Sequence, residues 1–195
     1  MLGLGAGWHE GEHNAFGIPL PPIEERFARY ESAVATINAL FSDAARDAPG
    51  VTRVDPFYPL DAATLAPAPT RAGGPALWLG GQRRRGIALA ARYADGWIMP
   101  GTMAGAVAYF AERREVLLRA LEAEGRDLAS FAFAAQVEVS LDLEGFRTAR
   151  ETALGFLRAG ADHVTLGIPG LAGPDGLEAM AREVAEPIRE AVGRA

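Results

Sequence analysis

The feature that most constrains the fold is a regular alternation of short apolar runs with longer amphipathic segments. Most of the runs end in glycine or proline, and the longer segments carry apolar residues at the three-to-four spacing of a helix. The strand-like runs cover residues 2–7, 76–81, 95–101, 131–141 and 161–168, and the helix-like segments cover residues 23–46, 86–94, 103–124, 144–159 and the stretch after Pro174. Alternating units of this kind predict a parallel sheet covered by helices.

Two α/β architectures fit about five such units: part of an eight-stranded (β/α)8 barrel, the TIM barrel, and an open doubly wound sheet. The periodicity by itself does not choose between them. Residues 47–75 interrupt the alternation, because they hold closely spaced prolines and show little periodicity. We predict an irregular surface excursion there, within a single domain that spans residues 1–195.

Composition excludes several classes of function. The 195 residues are 49% hydrophobic and 23% charged, as in ordinary globular chains, and no apolar run is long enough to span a membrane. The net charge of −6 argues against a nucleic-acid partner. Cysteine and lysine are both absent, which excludes a thiolate nucleophile, a Schiff base and a phosphate-loop lysine. If the chain is an enzyme, these absences indicate that a bound cofactor carries out the difficult chemical step. With no cysteines and no visible secretion signal, we expect a cytoplasmic protein.

Residues 8–13, WHEGEH, satisfy the H-E-x-x-H pattern of zinc proteases through His9, Glu10 and His13. That site needs both histidines on one stable helix, where they can reach a single ion. Here Gly11 lies between them and several prolines follow soon afterwards, so at most two helical turns can form. We therefore interpret the stretch as a loop after the first strand and predict no metal site.

A stronger signal for a ligand is the segment LWLGGQRRRG, in which a strand ends at Gly80 and Gly81 just before a helix. Bare backbone N–H groups at a helix start form an anion site. Arg83, Arg84 and Arg85 would be unfavourable beside the positive end of that helix unless an anion neutralised them. The segment therefore predicts a phosphate site, with a solvated basic cluster as the alternative.

Other residues give weaker signals. In the alternating strand, Glu138 faces away from the phenylalanines, towards either a barrel interior or water. Trp97, at a strand end, either walls a substrate pocket or belongs to the core. We interpret His163, at the start of a strand, as structural. The stretch GIPG at residues 167–170 is either a second phosphate loop or a simple turn.

Three stretches together resemble the luciferase-like flavin monooxygenase superfamily, and especially its deazaflavin-dependent oxidoreductase branch. They are LGLGAGWHEGEHNAFGIPLPPIEERFARYESAV, PALWLGGQRRRGIALAARYADGW and LRAGADHVTLGI, and they follow one another in the family order. The resemblance implies a TIM barrel that binds FMN or the deazaflavin coenzyme F420 at the carboxyl ends of its strands. The residues that it places near the cofactor phosphate are Gly5, Ala6, Gly7, Gly80, Gly81, Gln82 and Arg83.

The resemblance also implies a redox enzyme that acts on a small organic substrate and pairs as a homodimer. In it the first strand of this chain corresponds to the fourth strand of the family, so that only strands four to eight are matched. Because a complete barrel typically needs ~250 residues, we expect an incomplete one. The alternative function is that of a non-catalytic fragment stabilised by self-association or by a partner.

Overall fold

The computed structural model describes residues 1–168, 170 and 172–193. In chain order the strands are β1 (Leu2–Leu4), β2 (Val51–Arg53), β3 (Leu60–Ala63), β4 (Leu77–Leu79), β5 (Gly96–Pro100), β6 (Ala132–Glu138) and β7 (His163–Gly167). The helices are α1 (Glu10–Ala15), α2 (Ile23–Phe41), α3 (Arg84–Tyr93), α4 (Ala106–Ala123), α5 (Leu143–Arg158), α6 (Gly173–Met180) and α7 (Glu186–Ala191). None of the helices in this described part of the chain combines the length and apolar composition of a membrane span.

The main sheet has five parallel strands in the order β1-β4-β5-β6-β7. Each new strand is added on the same side of the one before it, as in a TIM barrel. A doubly wound sheet instead reverses its direction of growth near the middle. The expectation of a partial barrel is thus confirmed, and the open doubly wound alternative is excluded by the strand order. The sheet is not closed on itself.

The two faces of the sheet differ in burial because side chains alternate along each strand. The helix face packs against the helices and forms the core; its buried side chains include Leu79, Trp97, Met99, Phe133 and Val137. The other side, here called the open face, carries Trp78, Gly96, Ile98, Gln136, Glu138, His163 and Thr165.

An aromatic stack joins the sheet to the helices. Trp97 lies at 5.7 Å from Phe110 of α4 with nearly parallel rings, and Phe110 meets Phe156 of α5 edge to face at 5.4 Å. All three side chains are completely buried. Because aromatic pairs add ~0.5–1.5 kcal/mol beyond the burial of their area, this stack is a central element of the core.

Two aspartates tie neighbouring strands together at the amino edge of the sheet. Asp95, just before β5, accepts a hydrogen bond from the backbone N–H of Leu77 at 2.9 Å. Asp162, just before β7, accepts one from the N–H of Phe133 at 2.8 Å. The Ala-Asp pair that precedes both strands therefore has a structural role. Its aspartate accepts a hydrogen bond from a backbone N–H of the neighbouring strand that has no partner in the sheet.

The proline-rich excursion is more ordered than the sequence predicted. Within it β2 and β3 form a short antiparallel hairpin. The hairpin is attached to α2, because Ser32 donates a hydrogen bond to Asp55 and Thr36 donates one to the carbonyl of Tyr58. Asp55 also accepts hydrogen bonds from the Arg53 side chain and from the backbone N–H groups of residues 57 and 58.

The last helical segment is interrupted, although the sequence predicted one helix. A π-helical turn over Ala181–Ala185 separates α6 from α7. Pro187 explains part of the change, because a proline has no N–H to donate to the carbonyl four residues earlier. That carbonyl belongs to Glu183 and accepts a hydrogen bond from Arg150 of α5 at 2.8 Å instead.

Candidate functional site

Two glycine-containing turns lie side by side at the carboxyl edge of the sheet. The first contains Gly5, Ala6 and Gly7 after β1, and the second contains Gly80 and Gly81 after β4. The N–H of Gly80 donates to the carbonyl of Leu4 at 3.4 Å, so the register of the two strands continues into the turns. The structure thus brings together the residues that the sequence predicted separately.

Both turns present backbone donors. Among the residues that the structure describes, no backbone N–H from Gly81 to Arg85 has a protein acceptor, and the same holds from Gly5 to Trp8. Arg83 is the N-cap residue of α3 but provides no side-chain cap to the first turn. Adjacent N–H groups without acceptors, one set of them at a helix start, form an environment that stabilises an anion.

The turns also leave room for a ligand. A Cβ built on Gly5 would meet no atom within 4 Å, and one built on Gly80 would come only to 4.0 Å of the Ile98 carbonyl. By alternation both positions project towards the open face. The gap between Gly5 and Gly80 is therefore bare backbone that a ligand can approach closely.

Side chains of the helix layer and the core hold the backbone of each turn in place. The guanidinium of Arg26 donates to the Gly7 carbonyl at 2.9 Å, and the indole of Trp97 donates to the Gly81 carbonyl at 2.9 Å. Beneath them the buried Tyr30 hydroxyl donates to Leu4, and burial raises the pKa of this tyrosine. Tyr30 therefore stays protonated at physiological pH and acts as a structural donor.

The three arginines after the turn serve different purposes. Arg85 forms ion pairs with Glu24 and Glu31 of α2, each at 2.9 Å, and lies over the ring of Phe27. Its charge is therefore neutralised within the protein, and the expectation that this arginine requires an external anion is wrong. Arg83 and Arg84 are exposed. Of the three, Arg83 is nearest to the turn in the sequence, with only Gln82 between them.

The open face also carries polar groups on β6 and β7. Gln136 and Thr165 are paired in register on β6 and β7, and Glu138 is the last residue of β6; all three side chains are exposed. Glu138 lies against the end of β7, since a Cβ on Gly167 would come within 2.9 Å of its carboxylate. The sequence had singled out Glu138 but gave Thr165 no role, although both follow the same alternation.

Trp97 does not line a pocket, which corrects one of its two sequence interpretations. Its side chain has no exposed area and points to the helix face. The tryptophan on the open face is Trp78, which lies over Gly96 and meets the ring of His163 edge to face at 5.1 Å. His163 starts β7 at the amino edge, away from the two turns.

The H-E-x-x-H stretch forms the short helix α1, where the sequence had predicted a loop. The ring of His9 caps this helix by accepting from the N–H of Glu12 at 3.0 Å, and His13 Nδ1 lies 3.2 Å from the Ile18 carbonyl. Within the described residues no three histidine, aspartate or glutamate side chains are placed to hold a metal ion. The other candidate loop, residues 167–170, includes Pro169, which lies outside the described residues.

Sequence comparison decides the family. Residues 1–191 match the sequence model of the luciferase-like monooxygenases. The chain belongs to the luciferase-like monooxygenase family. Among relatives, a phthiodiolone/phenolphthiodiolone dimycocerosates ketoreductase of Mycobacterium tuberculosis is 33% identical over 99 residues, which are 50% of this chain and 24% of the relative. The corresponding protein of Mycobacterium kansasii is 32% identical over 99 residues, or 50% of this chain and 25% of the relative. The matched region thus spans about a quarter of the length of these relatives.

Solved structures agree on the luciferase-like fold. An F420-dependent secondary alcohol dehydrogenase, in complex with an F420-acetone adduct, superposes with a TM-score of 0.72 and 18% identity over 96% of this chain and 69% of that one. A long-chain alkane monooxygenase superposes with a TM-score of 0.67 and 12% identity, over 93% of this chain and 60% of that one. The F420-dependent tetrahydromethanopterin reductase of Methanopyrus kandleri superposes with a TM-score of 0.63 and 13% identity, over 95% of this chain and 73% of that one. At these identities the likeness establishes the fold alone.

Proposed function

We propose that the chain is an oxidoreductase, or the part of one, that holds the phosphate of FMN or of the deazaflavin coenzyme F420 between its two glycine turns. The observation that carries the proposal is the pair of adjacent turns at the carboxyl edge, with N–H groups that have no acceptor among the described residues. TIM-barrel enzymes place their sites at that edge, and a phosphate there is bound by backbone N–H groups and a helix start. Structural neighbours named for F420 support the choice of coenzyme class.

Within this proposal each group has a definite task. The N–H groups of Gln82 and Arg83 bind the phosphate, and Gly5 and Gly80 allow it to approach. The coenzyme ring supplies the redox chemistry. The exposed side chains of Gln136 and Glu138 on the open face then provide the polar wall against which ring and small-molecule substrate are oriented.

The proposal is tested with Gly5→Ala and its matched control Gly3→Ala. Both residues lie on the same side of the first strand, and neither Cβ would meet an atom within 4 Å, so both variants should fold normally. Only the Gly5 methyl group projects into the phosphate site. We expect Gly5→Ala to weaken FMN or F420 binding about tenfold or more, ~1.4 kcal/mol. Fluorescence titration measures the dissociation constants.

Titration with riboflavin measures how much the phosphate contributes to binding, because riboflavin has the ring of FMN and lacks the phosphate. The unsubstituted protein should prefer FMN to riboflavin, and Gly5→Ala should narrow that preference. Failure of the unsubstituted protein to bind either FMN or F420 would contradict the proposed function. Equal weakening by Gly3→Ala would contradict the location of the phosphate.

A second candidate function follows from the open face and the two sheet edges. β1 and β7 are the outer strands of the sheet, and among the described residues each has no neighbouring strand on one side. We propose as the alternative that the chain is a non-catalytic fragment that is stable only in association with a second copy or another segment. If coenzyme binds to the isolated monomer, this alternative fails.

Three further proposals concern the compartment, the oligomeric state and the substrate class of the enzyme. We propose that it works in the cytoplasm as a homodimer, on a small organic molecule. The chain has no cysteines, so it lacks the disulfides that are common in proteins of oxidising compartments, in keeping with the cytoplasm. Fractionation of the native host, with an antibody against the chain, measures the compartment; recovery outside the cytoplasm would contradict it.

A further inference from the structure

We infer that Trp97 is a positioning residue for the coenzyme phosphate, acting through the peptide bond between Gly81 and Gln82; the inference depends on the proposed function. Its indole N–H donates to the Gly81 carbonyl at 2.9 Å from within the core. Trp97 itself has no exposed area and does not touch the ligand site. It determines where the site's donors point.

The effect follows from the planarity of the peptide bond. In a trans peptide the carbonyl of one residue and the N–H of the next point in opposite directions. Because the Gly81 carbonyl is held towards Trp97, the N–H of Gln82 must point away from the core. That N–H also has no acceptor among the described residues, so it is available to a ligand at the carboxyl edge.

Other contacts prevent the turn from relaxing once the carbonyl is fixed. Gly81 has a φ of +108°, a conformation that favours glycine. A Cβ on Gly86 would come within 2.9 Å of the Gly81 Cα, so the turn lies directly on the start of α3. Trp97 is completely buried, so the surrounding core as a whole holds its ring. The donor and acceptor are thus both held before any ligand arrives, which lowers the cost of binding.

The test uses Trp97→Phe, which keeps an aromatic ring against Phe110 and removes the N–H. We expect coenzyme binding to weaken about fivefold, ~1 kcal/mol at 25 °C. A second variant replaces Trp97 with 3-benzothienyl-alanine, which has the shape of tryptophan but no N–H, and it decides the outcome if Trp97→Phe does not fold. The matched control is Phe110→Leu, which disturbs the same stack and leaves the indole N–H in place.

A purely structural role for Trp97 predicts a different result. In that case Trp97→Phe and Phe110→Leu would both lower the melting temperature, and neither would change the dissociation constant. The inference requires that only loss of the N–H weakens binding, and equal affinity of the benzothienyl variant and the unsubstituted protein would overturn it.

A measurement on the ligand-free protein separates this inference from the proposed function. The backbone amide resonance of Gln82 should shift in the benzothienyl variant and stay in place in Phe110→Leu. If the unsubstituted protein binds neither coenzyme, the proposed function fails, while this comparison still tests whether Trp97 fixes the turn. An unchanged Gln82 resonance would overturn the positioning role.

Discussion

At the scale of single residues, Asp55 shows how one carboxylate can attach an entire excursion to the sheet domain. Its side chain is only 6% exposed and accepts from Ser32, Arg53 and two backbone N–H groups. Burial opposes ionisation, but the hydrogen bonds from Ser32, from the backbone of Tyr58 and Phe57 and from Arg53 outweigh it. Together they hold the pKa of Asp55 well below its usual range.

This lowered pKa predicts a pH dependence of stability. A carboxylate with a lower pKa in the folded state stabilises the fold above its unfolded pKa, about 3.9, and the stabilisation is lost as the pH falls below that value. We expect Asp55→Asn to be less stable than the unsubstituted protein at pH 7 and to lose less stability on acidification. Urea unfolding at pH 7, 5 and 3 measures both effects. Parallel stability curves for the two proteins would contradict the assignment.

At the scale of elements, helix ends are held by arginines from neighbouring segments. Arg126, in the connection after α4, donates to the carbonyls of Ala91, Arg92 and Ala94 at the end of α3. These carbonyls lack partners within their own helix, and a cation there also interacts favourably with the helix dipole. Arg126 therefore ends α3 and joins it to the next unit.

We expect Arg126→Met to destabilise the fold by about 2 kcal/mol, because hydrogen bonds to a charged donor are lost while the apolar stem is kept. The control is Arg119→Met on the exposed side of α4, for which a change within ±0.5 kcal/mol is expected. Chemical denaturation measures the free energies of unfolding. Equal effects of the two substitutions would show that the carbonyl contacts of Arg126 contribute nothing.

The same scale shows what the sequence could predict. The five strands of the main sheet, and the long helices that alternate with them, could be predicted from hydrophobic periodicity. Burial of one face of an element leaves a regular spacing of apolar residues in the sequence. The helix α1 left no such signal: it is short, contains Gly11 and is capped by a histidine rather than by a usual capping residue. The β2–β3 hairpin is too short for a periodicity, and it depends on contacts of Asp55 with a distant helix.

The candidate site was predictable only in part for a related reason. Glycine pairs at strand ends are visible in the sequence, so Gly80 and Gly81 could be named. The partner of Arg85 could not, because Glu31 is 54 positions away and only the packing of α2 against α3 brings the two together. The hydrogen bond from Trp97 to the Gly81 carbonyl depends on tertiary structure in the same way.

At the scale of the whole molecule, large apolar side chains are exposed beside the first glycine turn. Trp8, Phe16, Ile18 and Ile23 flank α1 and are 80%, 78%, 57% and 54% exposed. Apolar groups clustered in one short segment indicate a contact surface more strongly than scattered ones do. We propose that this segment lies in the interface of the proposed homodimer.

The double substitution Trp8→Ser with Phe16→Ser tests this interface. Complete burial of one such side chain contributes about 1.5–3 kcal/mol, so the loss of two should raise the dimer dissociation constant by tenfold or more. The matched control is Val54→Ser in the excursion, which removes a 99% exposed apolar side chain far along the chain from α1. Sedimentation equilibrium measures the association of all three proteins. An unsubstituted protein that stays monomeric would contradict the proposed interface. A control that dissociates as readily as the double variant would contradict it as well, because loss of an exposed apolar side chain far from α1 would then have the same effect.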